Sequence, residues 1–143
     1  MSKKPYRVLV VDDDQDMREE LVAWLEDANF SIETANDGEE GLKKLLAEEF
    51  DVAVVDLHMP KMDGLEMIRQ ADQQDVDAYV IILTGHGDKN DAVQALKLQN
   101  TVKDWFDKSN LDGAALVSRV KRLAEGMSFE EIDRIFANVT KMG

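Results

Sequence analysis

Val52-Ala53-Val54-Val55-Asp56-Leu57-His58-Met59-Pro60-Lys61-Met62-Asp63-Gly64 opens on an apolar run that is too short for a helix and ends on a carboxylate. A run of this length, rich in β-branched residues, reads as a strand buried on both faces of a parallel sheet. Two others share its character: Val8 to Val11 leads into Asp12-Asp13-Asp14, and Val80 to Leu83 leads into Thr84. Ser31-Ile32-Glu33-Thr34-Ala35 alternates instead, as a half-exposed edge strand does, and Lys103 to Phe106 supplies a fifth strand that ends at Asp107-Lys108.

Apolar residues at helical spacing fill the intervals. They are Met17, Leu21, Trp24, Leu25 and Ala28, then Leu42, Leu45 and Leu46, then Leu65 and Ile68, then Ala92, Val93 and Leu96, then Leu116, Val120 and Leu123. Asp37 with Glu40 and Asp63 with Glu66 place an acidic cap three residues before a glutamate at the start of the second and third helices. Asn29, which tolerates the left-handed conformation, marks the end of the first. Regular alternation of strand and helix predicts an α/β fold, an open five-stranded parallel sheet, doubly wound, with helices on both faces.

That domain spans residues 5–125. Gly126 ends its last helix, and Ser128 with Glu131 forms a capping box for one more, in which Phe129, Ile132, Phe136 and Val139 recur at spacings of three, four and three. Residues 126–143 are therefore expected to be an extra C-terminal helix: a tail packed on its own domain, a dimerisation element, or the start of a linker to an output module. The sequence contains no internal repeat and no low-complexity segment.

Composition narrows the function. The 143 residues contain no cysteine, so a disulfide framework and a thiolate metal site are both excluded. No apolar run near the start is long enough for a signal peptide or a membrane span, and the expected location is the cytoplasm. Thirty acidic residues against seventeen basic ones give a net charge of −13, which repels nucleic-acid phosphates and anionic lipid surfaces, so neither is expected as a direct partner.

In open parallel sheets, ligands bind beyond the carboxyl ends of the strands. Here those ends deliver Asp12-Asp13-Asp14, Asp56, Thr84 and Asp107-Lys108 to one rim. Carboxylates at close quarters repel one another, and a divalent cation relieves that repulsion. Oxygen ligands select Mg²⁺, or Mn²⁺, over zinc. A metal beside an ammonium and a hydroxyl suits the stabilisation of phosphoryl oxygens during in-line transfer, with a carboxylate as nucleophile. Asp12, Asp14 and Asp16 imitate the start of an EF-hand loop, but Met17 replaces its glycine and Ala23 its final glutamate, so calcium binding of that kind is rejected.

Val10-Val11-Asp12-Asp13-Asp14, the stretch from Val54 to Gly64, Ile82-Leu83-Thr84-Gly85-His86-Gly87-Asp88 and Asp104-Trp105-Phe106-Asp107-Lys108 together resemble the receiver domains of two-component response regulators, from about Tyr6 to Leu123. The resemblance implies a flavodoxin-like sheet in the order 2-1-3-4-5 and a phosphorylation-activated switch rather than a turnover enzyme. It makes Asp56 the phosphoacceptor, places Mg²⁺ on Asp12, Asp13, Asp56 and the backbone carbonyl of His58, and sets Lys108 against the phosphoryl group. Thr84 becomes the switch hydroxyl, Trp105 the aromatic that changes rotamer, and His58 and His86 the residues that tune loss of the phosphoryl group. The implied partners are a sensor histidine kinase or phosphotransfer protein and a downstream protein or covalently linked output domain. Two departures stand out. Lys108-Ser109 replaces the usual Lys-Pro, so a trans peptide is expected there. The link Gln99-Asn100-Thr101-Val102-Lys103 is longer than the family's and lacks glycine.

Two other functions fit the residues less well. A small Mg²⁺-dependent phosphatase with an aspartyl nucleophile needs a second acid where His58 stands. A flavodoxin-like cofactor binder needs a glycine-rich loop where Asp12-Asp13-Asp14 stands.

Overall fold

The computed structural model describes residues 4–85, 87–126, 134, 136–139 and 141. Strands and helices alternate as β1 (Arg7–Val11), α1 (Gln15–Asp27), β2 (Ser31–Ala35), α2 (Gly38–Ala47), β3 (Val52–Val55), α3 (Gly64–Gln73), β4 (Tyr79–Thr84), α4 (Lys89–Leu96), β5 (Val102–Asp107) and α5 (Gly113–Glu125). All the strand pairs are parallel, in the order β2-β1-β3-β4-β5, which is the order the resemblance implies. The strand with the alternating pattern, β2, lies at one edge, and the three continuous apolar runs occupy the centre.

Strand residues divide by parity between two cores. Val8, Val10, Val52, Val54, Ile81 and Leu83 face α1 and α5, where Leu21, Leu25, Leu116 and Val120 meet them. Leu9, Val11, Ala53, Val55, Val80 and Ile82 face the other helices, among them Leu42 and Leu45 of α2, Met67 and Ile68 of α3, and Ala95 of α4. Both faces of the central strands are thus sealed, and polar chemistry is confined to the strand ends.

Each α-helix from α1 to α5 begins on an aspartate. The side chains of Asp14, Asp37, Asp63, Asp88 and Asp112 accept hydrogen bonds from backbone N–H groups of the first turn they cap. This places negative charge at the positive end of each helix dipole, so part of the chain's acidity serves the fold. Asn29 has φ 69°, as its position after α1 predicts.

Three local features differ from the sequence expectation. The fifth strand starts at Val102 rather than Lys103, and its register against β4 jumps from Val80↔Val102 to Ile81↔Asp104, so Lys103 is bulged out of the ladder. The bulge takes up one residue of the longer α4–β5 link. Thr101, just before it, is buried and donates its hydroxyl to Asp72 Oδ1 of α3 at 2.6 Å. The apolar stripe read from Ala92, Val93 and Leu96 does not face the core: α4 buries Ala95, while Val93 and Leu96 are exposed. Of the extra helix, Arg134, residues 136–139 and Lys141 are helical, and Phe136 and Val139 are 64% and 58% exposed. Phe129, Ile132 and the capping pair Ser128–Glu131 lie outside the described residues, as does His86.

Candidate functional site

β1, β3, β4 and β5 run parallel, so their carboxyl ends deliver side chains to one rim. Asp12 follows β1, Asp56 follows β3, and Thr84 is the last residue of β4; they are 1%, 6% and 2% exposed. Lys108 follows β5 and reaches back across the rim. Its Nζ lies 2.6 Å from Asp12 Oδ2 and 3.0 Å from Asp56 Oδ2, joining the two buried carboxylates. Asp13 is exposed at the mouth, and one oxygen from each of Asp12, Asp13 and Asp56 lies within 4.8 Å of the others.

The backbone fixes these groups further. Asp12 Oδ1 accepts the Asp14 N–H at 2.9 Å, and the Asp12 carbonyl accepts from the guanidinium of Arg18 at 2.7 Å. Asp56 Oδ1 faces the His58 N–H at 3.5 Å. Gly64 permits the loop after Asp56 to close tightly, since a Cβ there would stand 2.2 Å from the Asp56 carbonyl oxygen.

Electrostatics follow from burial. Desolvation raises the pKa of Asp12 above its ordinary value; the Lys108 ammonium and the Asp14 N–H pull the other way, and the neighbouring charge of Asp56 adds to the rise. Burial also works against the Lys108 ammonium, but its hydrogen bonds to Asp12 and Asp56 outweigh that cost and hold its pKa above the usual lysine value. Three carboxylates face one ammonium. The remaining negative charge, presented by oxygen donors alone, fits a hard divalent cation.

The predicted residues separate by place. Asp12, Asp13, Asp56 and Lys108 converge, and Thr84 ends the strand beside Asp56. Trp105 is partly buried against the core under α2, α3 and α4. Its ring lies so close under the loop after β4 that a Cβ on Gly87 would stand 2.2 Å from Trp105 Cζ2 and 3.0 Å from Thr84 Cγ2. The side chain of His58 extends toward α4, with Nε2 3.3 Å from Asp91 Oδ2. Asp14 caps α1, and Asp107 accepts from the Ser109 N–H at 2.8 Å and its hydroxyl at 2.7 Å. The Lys108–Ser109 peptide is trans, as expected without proline.

Arg18 and Asp91 were not singled out from the sequence. The available signals were positional: Arg18 lies in the turn after the Asp14 cap, and Asp88 precedes Asp91 by the three residues of a capping box whose last member is aspartate instead of glutamate.

Comparison with known proteins agrees with this geometry. The family model for the response regulator receiver domain matches residues 8–121. The chain is similar to the transcriptional regulatory protein GlrR of Escherichia coli (strain K12), with 40% identity over 95 residues that make up 66% of this chain and 21% of that protein. The chain spans 21% to 40% of the length of curated relatives it matches, such as GlrR and the response regulator MprA of Mycolicibacterium vanbaalenii. Among solved structures it resembles a CheY-like response regulator receiver domain protein from Methanospirillum hungatei JF-1, with a TM-score of 0.79 and 26% identity over 85% of this chain and 94% of that one. It also resembles the response regulator TrrA of Thermotoga maritima in complex with Mg²⁺-BeF, with a TM-score of 0.71 and 30% identity over 82% and 98% of the two chains. With the sheet order shared and the family match running from β1 into α5, this chain belongs to the response regulator receiver domain family.

Proposed function

We propose that Asp56 accepts a phosphoryl group from a phosphohistidine on a sensor histidine kinase or phosphotransfer protein, and that the phosphorylated chain presents a changed binding surface. The observation that carries this reading is Lys108 Nζ set between Asp56 and Asp12, with the oxygens of three aspartates gathered beside it. An Asp56 oxygen attacks phosphorus in line, an O–P bond forms as the P–N bond breaks, and the imidazole of the donor leaves with a proton. Lys108 releases Asp12 in part and neutralises the transferred oxygens. Asp12, Asp13, Asp56 and the carbonyl of His58 are the residues that would hold Mg²⁺, which supplies charge neutralisation to the phosphoryl oxygens; Mn²⁺ suits the same donors.

Thr84, buried at the end of β4, is the hydroxyl that follows the phosphoryl group, and the Trp105 ring beneath the adjoining loop responds to its displacement. Phosphotransfer and the later hydrolysis are self-catalysed and stoichiometric. Residues 5–125 form the receiver, and residues 126–143 serve self-association or connection to an output module. Support for the second role comes from the greater length of the matched relatives and the exposed Phe136 and Val139. A net charge of −13 argues against direct contact with nucleic acid or an anionic membrane. Among the described residues no helix is long and apolar enough to cross a membrane, and the cytoplasm is the proposed location.

Incubation with acetyl phosphate and Mg²⁺ tests the assignment. Wild-type protein should take up one acid-labile, hydroxylamine-sensitive label per chain, and Asp56→Asn should take up none while keeping its fold, because size and polarity are retained and only the nucleophile is lost. Label on the substituted protein at the wild-type level would place the acceptor elsewhere, and continuous phosphate release at many turnovers per minute would favour a phosphatase.

A further inference from the structure

Arg18 is a cation beside the acidic site that has no part in the chemistry described above. It is the fourth residue of α1, and helical side chains lean back toward the N-terminus, so it can reach behind the Asp14 cap. Its guanidinium donates to the carbonyl oxygen of Asp12 at 2.7 Å, six residues back along the chain, in a contact that is partly buried. A charged donor makes this one of the stronger kinds of hydrogen bond. The oxygen it holds belongs to the peptide unit that joins Asp12 to Asp13, the buried and the exposed carboxylate of the site.

Asp12 and Asp13 differ in what else holds them. The Asp12 N–H donates to the Ala35 carbonyl at 3.2 Å, its Oδ1 accepts the Asp14 N–H at 2.9 Å, and its Oδ2 faces Lys108 Nζ at 2.6 Å. That carboxylate is fixed without Arg18. Asp13 stands exposed at the mouth, so its carboxylate depends on the direction in which the chain presents it. A peptide unit is planar, and gripping its oxygen sets the direction in which the next residue leaves it.

We propose that Arg18 is a positioning residue for the acidic site: by tying the peptide between Asp12 and Asp13 to the first turn of α1, it sets the Asp13 carboxylate beside Asp12 and Asp56 and so raises the affinity for a hard divalent cation. This rests on the reading of Asp12, Asp13 and Asp56 as metal ligands. Charge alone argues the other way. A guanidinium near the site repels a cation, and its removal would strengthen binding, the more so at low salt. Placement and repulsion therefore predict opposite signs for the same substitution.

Calorimetric titration of the unphosphorylated full chain with Mg²⁺ compares wild type, Arg18→Ala, Arg18→Met, Asp13→Ala and the double variant with Arg18→Ala and Asp13→Ala. Methionine keeps the helix propensity and much of the apolar stem, which guards against a loss of packing, and thermal melting without metal checks that every variant is folded. Both Arg18 variants should bind Mg²⁺ about three- to tenfold more weakly than wild type, at the lower edge of what loss of an outer contact to a metal ligand costs. The loss should be smaller than that of Asp13→Ala, because the carboxylate is still present and only its placement is relaxed. With Asp13 already replaced, Arg18→Ala should change the affinity by less than about twofold, since the ligand it places is gone. Unchanged or tighter binding in the Arg18 variants overturns the role of Arg18, and so does a loss as large in the absence of Asp13 as in its presence. Wild-type protein that binds no Mg²⁺, or binds it equally well after Asp13→Ala, overturns the ligand assignment itself and the role of Arg18 with it.

Discussion

Asp12 shows how a residue that serves the site works against the fold. Its carboxyl is buried, desolvation raises its pKa, and the Lys108 ammonium compensates only in part. A carboxyl whose pKa is higher in the folded chain than in the unfolded one contributes stability that is complete below the unfolded value of 3.8 and is lost as pH rises through the folded value. Lys108, with its pKa raised, contributes stability throughout the neutral range and loses it only as pH rises through a value above 10.5. Asp12→Asn should therefore make the metal-free protein more stable at pH 7, with the advantage over wild type shrinking as the pH falls toward the carboxylate range. Urea denaturation of both proteins at several pH values measures this, and a gap that widens on acidification would contradict it. Asp13 predicts a different balance: exposed at the mouth, it contributes little to the fold, and Asp13→Ala should weaken Mg²⁺ binding by at least about tenfold with little change in stability. Calorimetric titration decides, since equal affinities would remove Asp13 from the ligands. Asp12, Asp56 and Thr84 were legible in the sequence because each closes an apolar strand, Lys108 because it follows the last strand, and strand direction sends all four to one rim. Arg18 and Asp91 were not, because they arrive from the first turns of helices, and which way such a turn faces depends on how the helix packs.

The same contrast holds for whole elements. Two helix starts could be read directly, at Asp37 and Asp63, because Glu40 and Glu66 stand three residues on. The starts at Asp14, Asp88 and Asp112 carry Met17, Asp91 and Ala115 at that place, so the capping-box pattern with glutamate is missing although the cap is present. The bulge at Lys103 was invisible for another reason: it exists only in the pairing of β5 with β4, and no local pattern records the register of a partner strand. α4 was misjudged on its face, since Val93 and Leu96 have helical spacing but Ala95 is the residue turned to the core. A cap well removed from the phosphoryl chemistry tests the energetic claim. Asp37→Ala removes the acceptor for the Glu40 N–H, held at 2.8 Å, and should lower unfolding free energy by about 1 kcal/mol. The ion pair of Asp37 with Lys61 adds little to that figure, because the lysine side chain is mostly exposed. Phosphorylation of Asp56 should be unaffected, so a stability loss accompanied by unchanged label uptake is the expected pair of results, and wild-type stability would refute the cap.

At the scale of the molecule, association is a contest between apolar surface and charge. Phe136 and Val139 are exposed on a helix beyond Glu125, and Val93 and Leu96 are exposed on α4. A short helix with an exposed apolar stripe is marginal in water until that stripe is covered. Each copy carries a net charge of −13, so two copies repel, and salt weakens that repulsion where the charges are far apart and solvated. If residues 126–143 provide the contact, self-association of the full chain should strengthen as salt is raised, and a chain ending at Glu125 should stay monomeric across the same range. Both should accept label on Asp56 equally, because every residue assigned to the site lies before that end. The proposed phosphorylation of Asp56 gives the contest a second input, since Thr84 and Trp105 adjoin the loop that leads into α4. Sedimentation of both lengths, at low and high salt, with and without a beryllofluoride mimic, separates these contributions. Dimer that appears only in the longer chain assigns the contact to the tail. Dimer that appears in both lengths only with the mimic assigns it to the receiver surface. Monomer throughout removes self-association and leaves residues 126–143 as a tail on their own domain or the start of a linker to an output module.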